Sequence, residues 1–81
     1  MSKASNIANA TATNLMEMFA GQTVHHDVVC EQIEMTYAAA RKRATYGSYV
    51  AIDTQLRTAG VGSKWTGANY TGDHLYVFPE A

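Results

Sequence analysis

The chain has 81 residues and a net charge of −1; 47% of its residues are hydrophobic and 16% are charged. This length allows one domain at most, and the composition is too apolar and too weakly charged for a disordered chain. A deep catalytic cleft is hard to form in so few residues without emptying the core, so size favours a binding or interaction module over an enzyme.

The single cysteine, Cys30, excludes an intramolecular disulfide, as is typical of proteins in a reducing compartment. Polar residues such as Asn6, Asn9 and Asn14 interrupt the first twenty residues, so neither a signal peptide nor a membrane span is predicted. We therefore expect a soluble, cytoplasmic protein with no membrane partner.

Positive charge is concentrated in the middle of the chain. Residues 1–40 have a net charge of −3, residues 41–67 of +4 and residues 68–81 of −2. The five cations of the middle segment are Arg41, Lys42, Arg43, Arg57 and Lys64. Two interpretations stay open: cations that stabilise a helix C-terminus, or a surface that attracts a polyanion such as DNA.

The N-terminal segment predicts a first helix from Ala4 to Ala20, with Gly21 as its C-terminal stop. Thr11 and Thr13 weaken the early part of this pattern. Residues 1–12 are therefore either a tail or the start of the helix, and Thr13 is the alternative N-cap.

A second helix is predicted from about Asp27 to Arg43, after a connection in which Thr23 and Val24 can pair as a minimal strand. Its buried face recurs every three or four residues, at Val29, Ile33, Tyr37 and Ala40. The three consecutive cations that begin at Arg41 close its last turn, where the helix dipole favours positive charge.

A third helix is predicted from about Ser48 to Ala59, with Thr45 or Ser48 as its N-cap and Gly60 as its stop. Its core-facing positions are Tyr49, Ile52, Leu56 and Ala59. A second face, displaced by one residue, is small or polar and is predicted to be free for a partner: Ser48, Ala51, Gln55 and Thr58.

Two short strands follow, predicted over 64–66 and 74–78 from their aromatic and β-branched residues. The turn-rich segment 67–73 joins them as a hairpin. Together the elements predict a mostly helical α+β fold, with three helices followed by a C-terminal β-hairpin, in a single domain that covers residues 13–79.

This order of elements resembles winged helix-turn-helix DNA-binding domains over about Asn14 to Phe78. The resemblance implies a small transcriptional regulator whose third helix lies in the major groove of double-stranded DNA. It implies that Ser48, Ala51, Gln55 and Thr58 face the bases, and Gln55 has the geometry to read an adenine edge with two hydrogen bonds. It implies phosphate contacts from Arg41, Lys42, Arg43, Arg57 and Lys64, and it puts Asn69 and Tyr70 at the tip of the wing.

A protein partner is the alternative. The third helix begins without basic residues and carries Asp53, which repels phosphate if it faces DNA. These features and the net charge of −1 fit a small protein-interaction module, an inhibitor or adaptor with no catalytic activity. A homodimer or larger homo-oligomer joined through the apolar N-terminal helix is a further possibility.

His25, His26 and Cys30 are the candidates for a metal site, because His26 and Cys30 stand at i and i+4 on one helical face. Zinc needs four protein ligands, or three and a water, and the only other histidine is His74. Cys30 could act as a nucleophile with His26 as its base, but no third residue that would orient the base is apparent. We therefore predict no catalytic, metal-binding or cofactor-binding residue, and interpret Cys30 as a small hydrophobic side chain.

Aromatic residues crowd the C-terminal half, where they form either a contact surface or the core. We assign Tyr49, Trp65 and one face of the last strand to the core. Tyr46 and Tyr70 lie next to turn residues and are the candidates for an exposed role.

Overall fold

A computed structural model describes residues 3–80, and the side chains of residues 7–80. Residues 1 and 2, at the start of the predicted 1–12 segment, lie outside the described residues, as does residue 81. The regular elements are α1 (Lys3–Met18), β1 (Thr23–His25), α2 (His26–Ala39), α3 (Tyr46–Thr58), β2 (Gly62–Trp65) and β3 (His74–Val77). Within residues 3–80, none of the helices combines the length and the apolar character needed to cross a membrane.

The three strands form one antiparallel sheet in the order β1-β3-β2. The predicted hairpin is present, with Lys64 opposite Leu75 and Trp65 opposite His74. The minimal strand predicted at Thr23 and Val24 is also present, and it pairs with β3 rather than standing alone. The mostly helical α+β class is therefore confirmed, with one strand placed between the first two helices.

Helix α1 begins at Lys3, so Thr13 lies inside the helix and the alternative N-cap is wrong. Thr11 does not interrupt the helix, because its hydroxyl donates to the Ile7 carbonyl (2.7 Å) while its side chain is buried. The helix ends at Met18, two residues before the predicted end, and Gly21 adopts a positive φ in the turn that follows.

Helix α2 ends at Ala39, so the prediction that it extends to Arg43 is wrong. The physical reason is a left-handed residue at Arg41 (φ 57°), which stops the helix. The Arg41 N–H donates to the Ala38 carbonyl and the Lys42 N–H to the Tyr37 carbonyl, both at 2.9 Å, which satisfies the helix end. Its predicted face at Val29, Ile33 and Tyr37 is buried, whereas Ala40 lies past the end and is exposed.

Helix α3 begins at Tyr46, two residues before the predicted start, and of the two candidate N-caps Thr45 is the one used. Thr45 is the N-cap, and it exchanges hydrogen bonds with Ser48: the Ser48 N–H donates to Thr45 Oγ1 (3.3 Å) and the Thr45 N–H to Ser48 Oγ (3.1 Å). At the other end Gly60 has a φ of 100°, and the Val61 N–H donates to the Leu56 carbonyl (2.9 Å). Val61 is buried, which supplies the apolar contact typical of this type of helix end.

We expect Gly60→Ala to lower the free energy of unfolding by about 1–2 kcal/mol, because a Cβ disfavours positive φ. Urea denaturation of the variant and the wild type measures the change. The matched control is Gly62→Ala: an added Cβ there would lie 3.9 Å from the Val77 Cβ, an ordinary contact, and the stability change should stay within about 0.5 kcal/mol. Equal losses in the two variants would contradict a conformational role for Gly60.

The core lies between α1, the inner faces of α2 and α3, and the sheet. Ile52 and Leu56 of α3 are 0% and 1% exposed, and they share this core with Leu15 of α1. Tyr49 is half-buried against the core, but Ala59, predicted to share its face, is exposed. Helix α3 packs most extensively against α1, and it leaves a depression between itself and α2.

Candidate functional site

The loop between α2 and α3 carries three consecutive cations whose side chains are exposed: Arg41, Lys42 and Arg43. They lie between the C-terminus of α2 and the N-terminus of α3 rather than in a last helical turn. Because the helix ends before them, their charges are held on a short loop beside the start of α3. The sequence therefore located the basic group correctly but assigned it to the wrong element.

The other two predicted cations are arranged differently. Arg57 Nη2 lies 3.3 Å from Asp53 Oδ1, and the guanidinium carbon lies 4.9 Å from the centroid of the Tyr76 ring. Lys64 is exposed on β2, opposite Leu75. Arg57 is therefore engaged within the protein, and the exposed members of the predicted set are the loop cations and Lys64.

The face of α3 predicted to be free is not the exposed face. Ala51 packs against the core, Gln55 is half-buried, and the Ser48 side chain is used in capping the helix. Thr58 is exposed, and its hydroxyl donates to the Thr54 carbonyl at 2.9 Å. The exposed positions follow an i, i+4 spacing at Tyr46, Val50, Thr54 and Thr58.

The reason lies in how α3 packs on the rest of the fold, where its most extensive contacts are with α1. A helix has two flanks beside its core stripe, and the periodicity of the stripe does not say which flank a neighbouring helix covers. Here the flank with Ala51 packs against the core and the flank with Val50 is open. In the sequence, only the position of Tyr46 next to turn residues indicated that this flank of α3 is exposed.

The tip of the β2–β3 hairpin is formed by Asn69 and Tyr70, which both have positive φ (56° and 62°). The Thr71 N–H donates to the Ala68 carbonyl (3.2 Å) and closes the turn. Two positive φ values at the centre of a hairpin turn are usual for a type I′ turn, where glycine is favoured at the second position. Tyr70 instead holds a large aromatic side chain there, 82% exposed and edge-on to Trp65.

Within residues 3–80, the non-glycine residues with positive φ are Arg41, Asn69 and Tyr70. Asparagine tolerates this conformation, but arginine and tyrosine are disfavoured in it by about 1–2 kcal/mol. Both strained side chains are exposed, so neither is held in place by burial. Strained backbone positions are enriched at functional sites, so Arg41 and Tyr70 are candidates for contact with a partner.

We expect Arg41→Gly to raise the free energy of unfolding by about 0.5–1 kcal/mol, because glycine adopts positive φ without the clash of a Cβ. Chemical denaturation measures this gain. Lys42→Gly is the matched control, since Lys42 has no positive φ and its replacement should lower stability through the entropy of the unfolded chain. A loss of stability in Arg41→Gly as large as in the control would show that the backbone at Arg41 is not strained.

His26 and Cys30, which the sequence places on one helical face, are in contact: Cys30 Sγ lies 3.5 Å from His26 Nε2, and the His26 ring stacks on Tyr76. Burial raises the pKa of the Cys30 thiol, and the carboxylates of Asp27 and Glu34 raise this pKa further. The thiol is therefore held in its protonated form, which is the opposite of what a nucleophilic cysteine requires. Among residues 3–80, no three His, Cys, Asp or Glu side chains are grouped closely enough to hold a metal ion.

A cavity of about 280 Å³ lies between α2, α3 and β3, at the depression where the two helices diverge. Asp53 and Tyr76 line it, and the Tyr76 hydroxyl donates to Asp53 Oδ1 at 3.0 Å. Burial and this hydrogen bond to Asp53 raise the pKa of the Tyr76 phenol, so it remains a neutral donor. Sequence reasoning missed this pair, because 23 residues separate its members and neither belongs to a motif.

No protein-family model, curated protein or solved structure matches the chain. The roles of its residues therefore follow from the contacts, exposure and charges described above.

Proposed function

We propose that the protein is a small DNA-binding regulator of winged-helix type, in which α3 lies in the major groove and the β2–β3 hairpin acts as the wing. The order of elements supports this proposal: three helices, the last two joined by a short loop, are followed by a hairpin. The loop residues 40–45 that join α2 and α3 bring the basic side chains next to the helix that would read the bases.

The observation that carries the proposal is the location of the two strained, exposed side chains. Arg41 lies in the loop before α3, and Tyr70 lies at the hairpin tip. The resemblance to winged-helix domains implies a phosphate contact at the first of these places and puts the tip of the wing at the second. Holding a cation at one and an aromatic ring at the other costs folding free energy, and contact with a partner is a reason to retain them.

Because a different face of α3 is exposed, the residues proposed to contact the bases differ from those that the sequence predicts. Thr54 and Thr58 present hydroxyl groups, and the side chain of Val50 fits the methyl group of a thymine. Ser48, Ala51 and Gln55 lie on the flank next to the core, so direct base reading from them is less favourable than from the open flank. We therefore assign the base contacts to Val50, Thr54 and Thr58.

The exposed cations set the expected strength of DNA binding. Arg41, Lys42, Arg43 and Lys64 give about four phosphate contacts, for which log K should fall with log[salt] with a slope of about −3.6. Affinity should then fall about 100-fold between 50 and 200 mM salt.

Fluorescence anisotropy with a labelled random duplex, at a series of salt concentrations, tests the proposal. Binding at low salt with a slope near −3.6 supports it. Absence of binding at low salt, or binding that does not respond to salt, would contradict it. Arg41→Gly adds a second test, because this variant should be more stable than the wild type and yet bind DNA more weakly.

A protein partner is the second candidate, and the exposed face of α3 is the observation that favours it. Tyr46 is 85% exposed and Val50 45% exposed on adjacent turns, and the charged residues of this helix, Asp53 and Arg57, pair with one another. Large exposed apolar side chains are typical of protein interfaces. A partner captured by the wild type and lost with Tyr46→Ser and Val50→Ser, in a protein without salt-dependent DNA binding, would favour this function.

A homodimer is tested separately by measuring the molar mass in solution. Met18 of α1 is 50% exposed and Met35 of α2 56% exposed. If copies of the chain associate through one of these helices, Met18→Gln or Met35→Gln should shift the mass towards that of the monomer.

A further inference from the structure

We infer that the cavity between α2 and α3 binds a small organic cation, a molecule with one protonated amine and an aromatic or branched apolar body. The cavity shares one lining residue, Val50, with the proposed DNA contacts, but the inference does not depend on those contacts. It rests on the shape and lining of the cavity and on the charges at its mouth.

The floor of the cavity is apolar and closely packed. Val29 and Ile33 of α2 and Ile52 and Leu56 of α3 are at most 3% exposed, and all four line the cavity. The cavity has a volume of about 280 Å³. A closed apolar cavity of about 150 Å³ accommodates benzene, so this space suits a ring with a short side chain.

The walls of the cavity present aromatic faces. His26 stacks on Tyr76 with ring centroids 5.9 Å apart, and Tyr49 stands on the α3 side, where its hydroxyl donates to Glu34 Oε1 (3.2 Å). Aromatic faces attract cations as well as apolar groups. The Tyr76 ring already contacts His26 and the Arg57 guanidinium, so Tyr49 is the aromatic wall left for a positively charged amine.

The charged side chains near the mouth of the cavity also favour a positively charged ligand. Asp53 is on the wall, and its contacts with Tyr76 and Arg57 both use Oδ1, which leaves Oδ2 for a ligand. Glu34 Oε1 accepts a hydrogen bond from the Tyr49 hydroxyl, and Asp27 Oδ1 lies 3.6 Å from His26 Nδ1; both partners line the cavity. Three carboxylates thus surround the cavity against one cation, Arg57, and a positively charged ligand complements them.

Cys30 provides a direct measurement, because it lines the cavity and is the only cysteine in the chain. The rate at which its thiol reacts with iodoacetamide, an uncharged reagent, is measured at pH 9 with 2-phenylethylamine, 2-phenylethanol or phenylacetate. These three probes share a ring and differ in charge. We expect the amine to slow the reaction at the lowest concentration, the alcohol at a higher one and the acid not at all.

Backbone amide shifts of ¹⁵N-labelled protein locate the binding. The amine should shift residues of α2 and α3 that line the cavity, and leave the hairpin tip unchanged. No protection of Cys30 and no shifts at millimolar amine would overturn the inference. Equal binding of the three probes would overturn its charge selectivity.

Asp53→Asn keeps an oxygen acceptor for the Tyr76 hydroxyl and for Arg57, but removes the negative charge. We expect it to weaken binding of the amine about fivefold, the effect of one partly exposed ion pair, and to leave binding of the alcohol unchanged. Asp73→Asn is the matched control, since Asp73 lies outside this cavity and its charge should not matter. Equal weakening by both variants would show that Asp53 does not contact the ligand.

Discussion

Replacing Ile52 with alanine should lower the free energy of unfolding by about 3–4 kcal/mol, within the range of large-to-small substitutions in packed cores. Ile52 is 0% exposed and lies at the centre of the core between α1 and the sheet. A domain of 81 residues has a total stability of about 4–12 kcal/mol, so this single change removes a large share of it. Ile52 also borders the cavity, so the lost atoms enlarge an existing space.

Urea denaturation followed by circular dichroism measures this loss, and Val50→Ala is the matched control. Val50 lies on the same helix but is 45% exposed, so its truncation should change stability by about 0.5 kcal/mol or less. If the two variants lose equal stability, the assignment of the buried and open flanks of α3 is wrong, and the residues proposed to meet DNA change with it.

The triple variant Arg41→Ala, Lys42→Ala, Arg43→Ala should lose most of the DNA binding at low salt, on the order of 100-fold. It removes three of the four exposed cations of the predicted set, so the slope of log K against log[salt] should fall from about −3.6 to about −0.9. Anisotropy titrations at 50, 100 and 200 mM salt give both quantities. All three side chains are exposed, so the fold should be retained.

Arg57→Met is the control for this experiment. Arg57 is paired with Asp53 and lies over the Tyr76 ring, so its removal should change stability more than the salt slope. If Arg57→Met lowers the slope as much as the triple variant does, Arg57 leaves its partners to contact phosphate. If the triple variant keeps the wild-type slope, the loop does not contact DNA, and the protein-partner alternative gains support.

Local signals predicted the ends of α3 and the hairpin. The cap at Thr45, the stop at Gly60 and the run of strand-forming residues after His74 each depend on neighbours within a few residues. Such interactions are present in the sequence itself, because the backbone groups that they satisfy are adjacent along the chain.

The end of α2 shows where local reasoning failed. Consecutive cations are favourable in a last helical turn, and Ala38–Ala40 has high helix propensity. The sequence pattern therefore predicted that the helix ends at Arg43. The chain instead turns at Arg41, in a conformation for which glycine is the usual signal. Helix propensity does not predict an arginine at this position, because glycine is the residue favoured there, although the hydrogen bonds of the Arg41 and Lys42 N–H groups close the helix end.

By itself, the sequence determined the class of the fold, the order and approximate positions of the helices and strands, and the exposure of Tyr46 and Tyr70. These follow from periodicity and turn chemistry, which act over a few residues. Only the tertiary structure decided which flank of α3 is open, that Arg57 is engaged with Asp53 and Tyr76, and that a cavity separates α2 from α3. The reason is that these features depend on how elements distant in sequence pack, and helical periodicity states which residues share a face but not what lies against it.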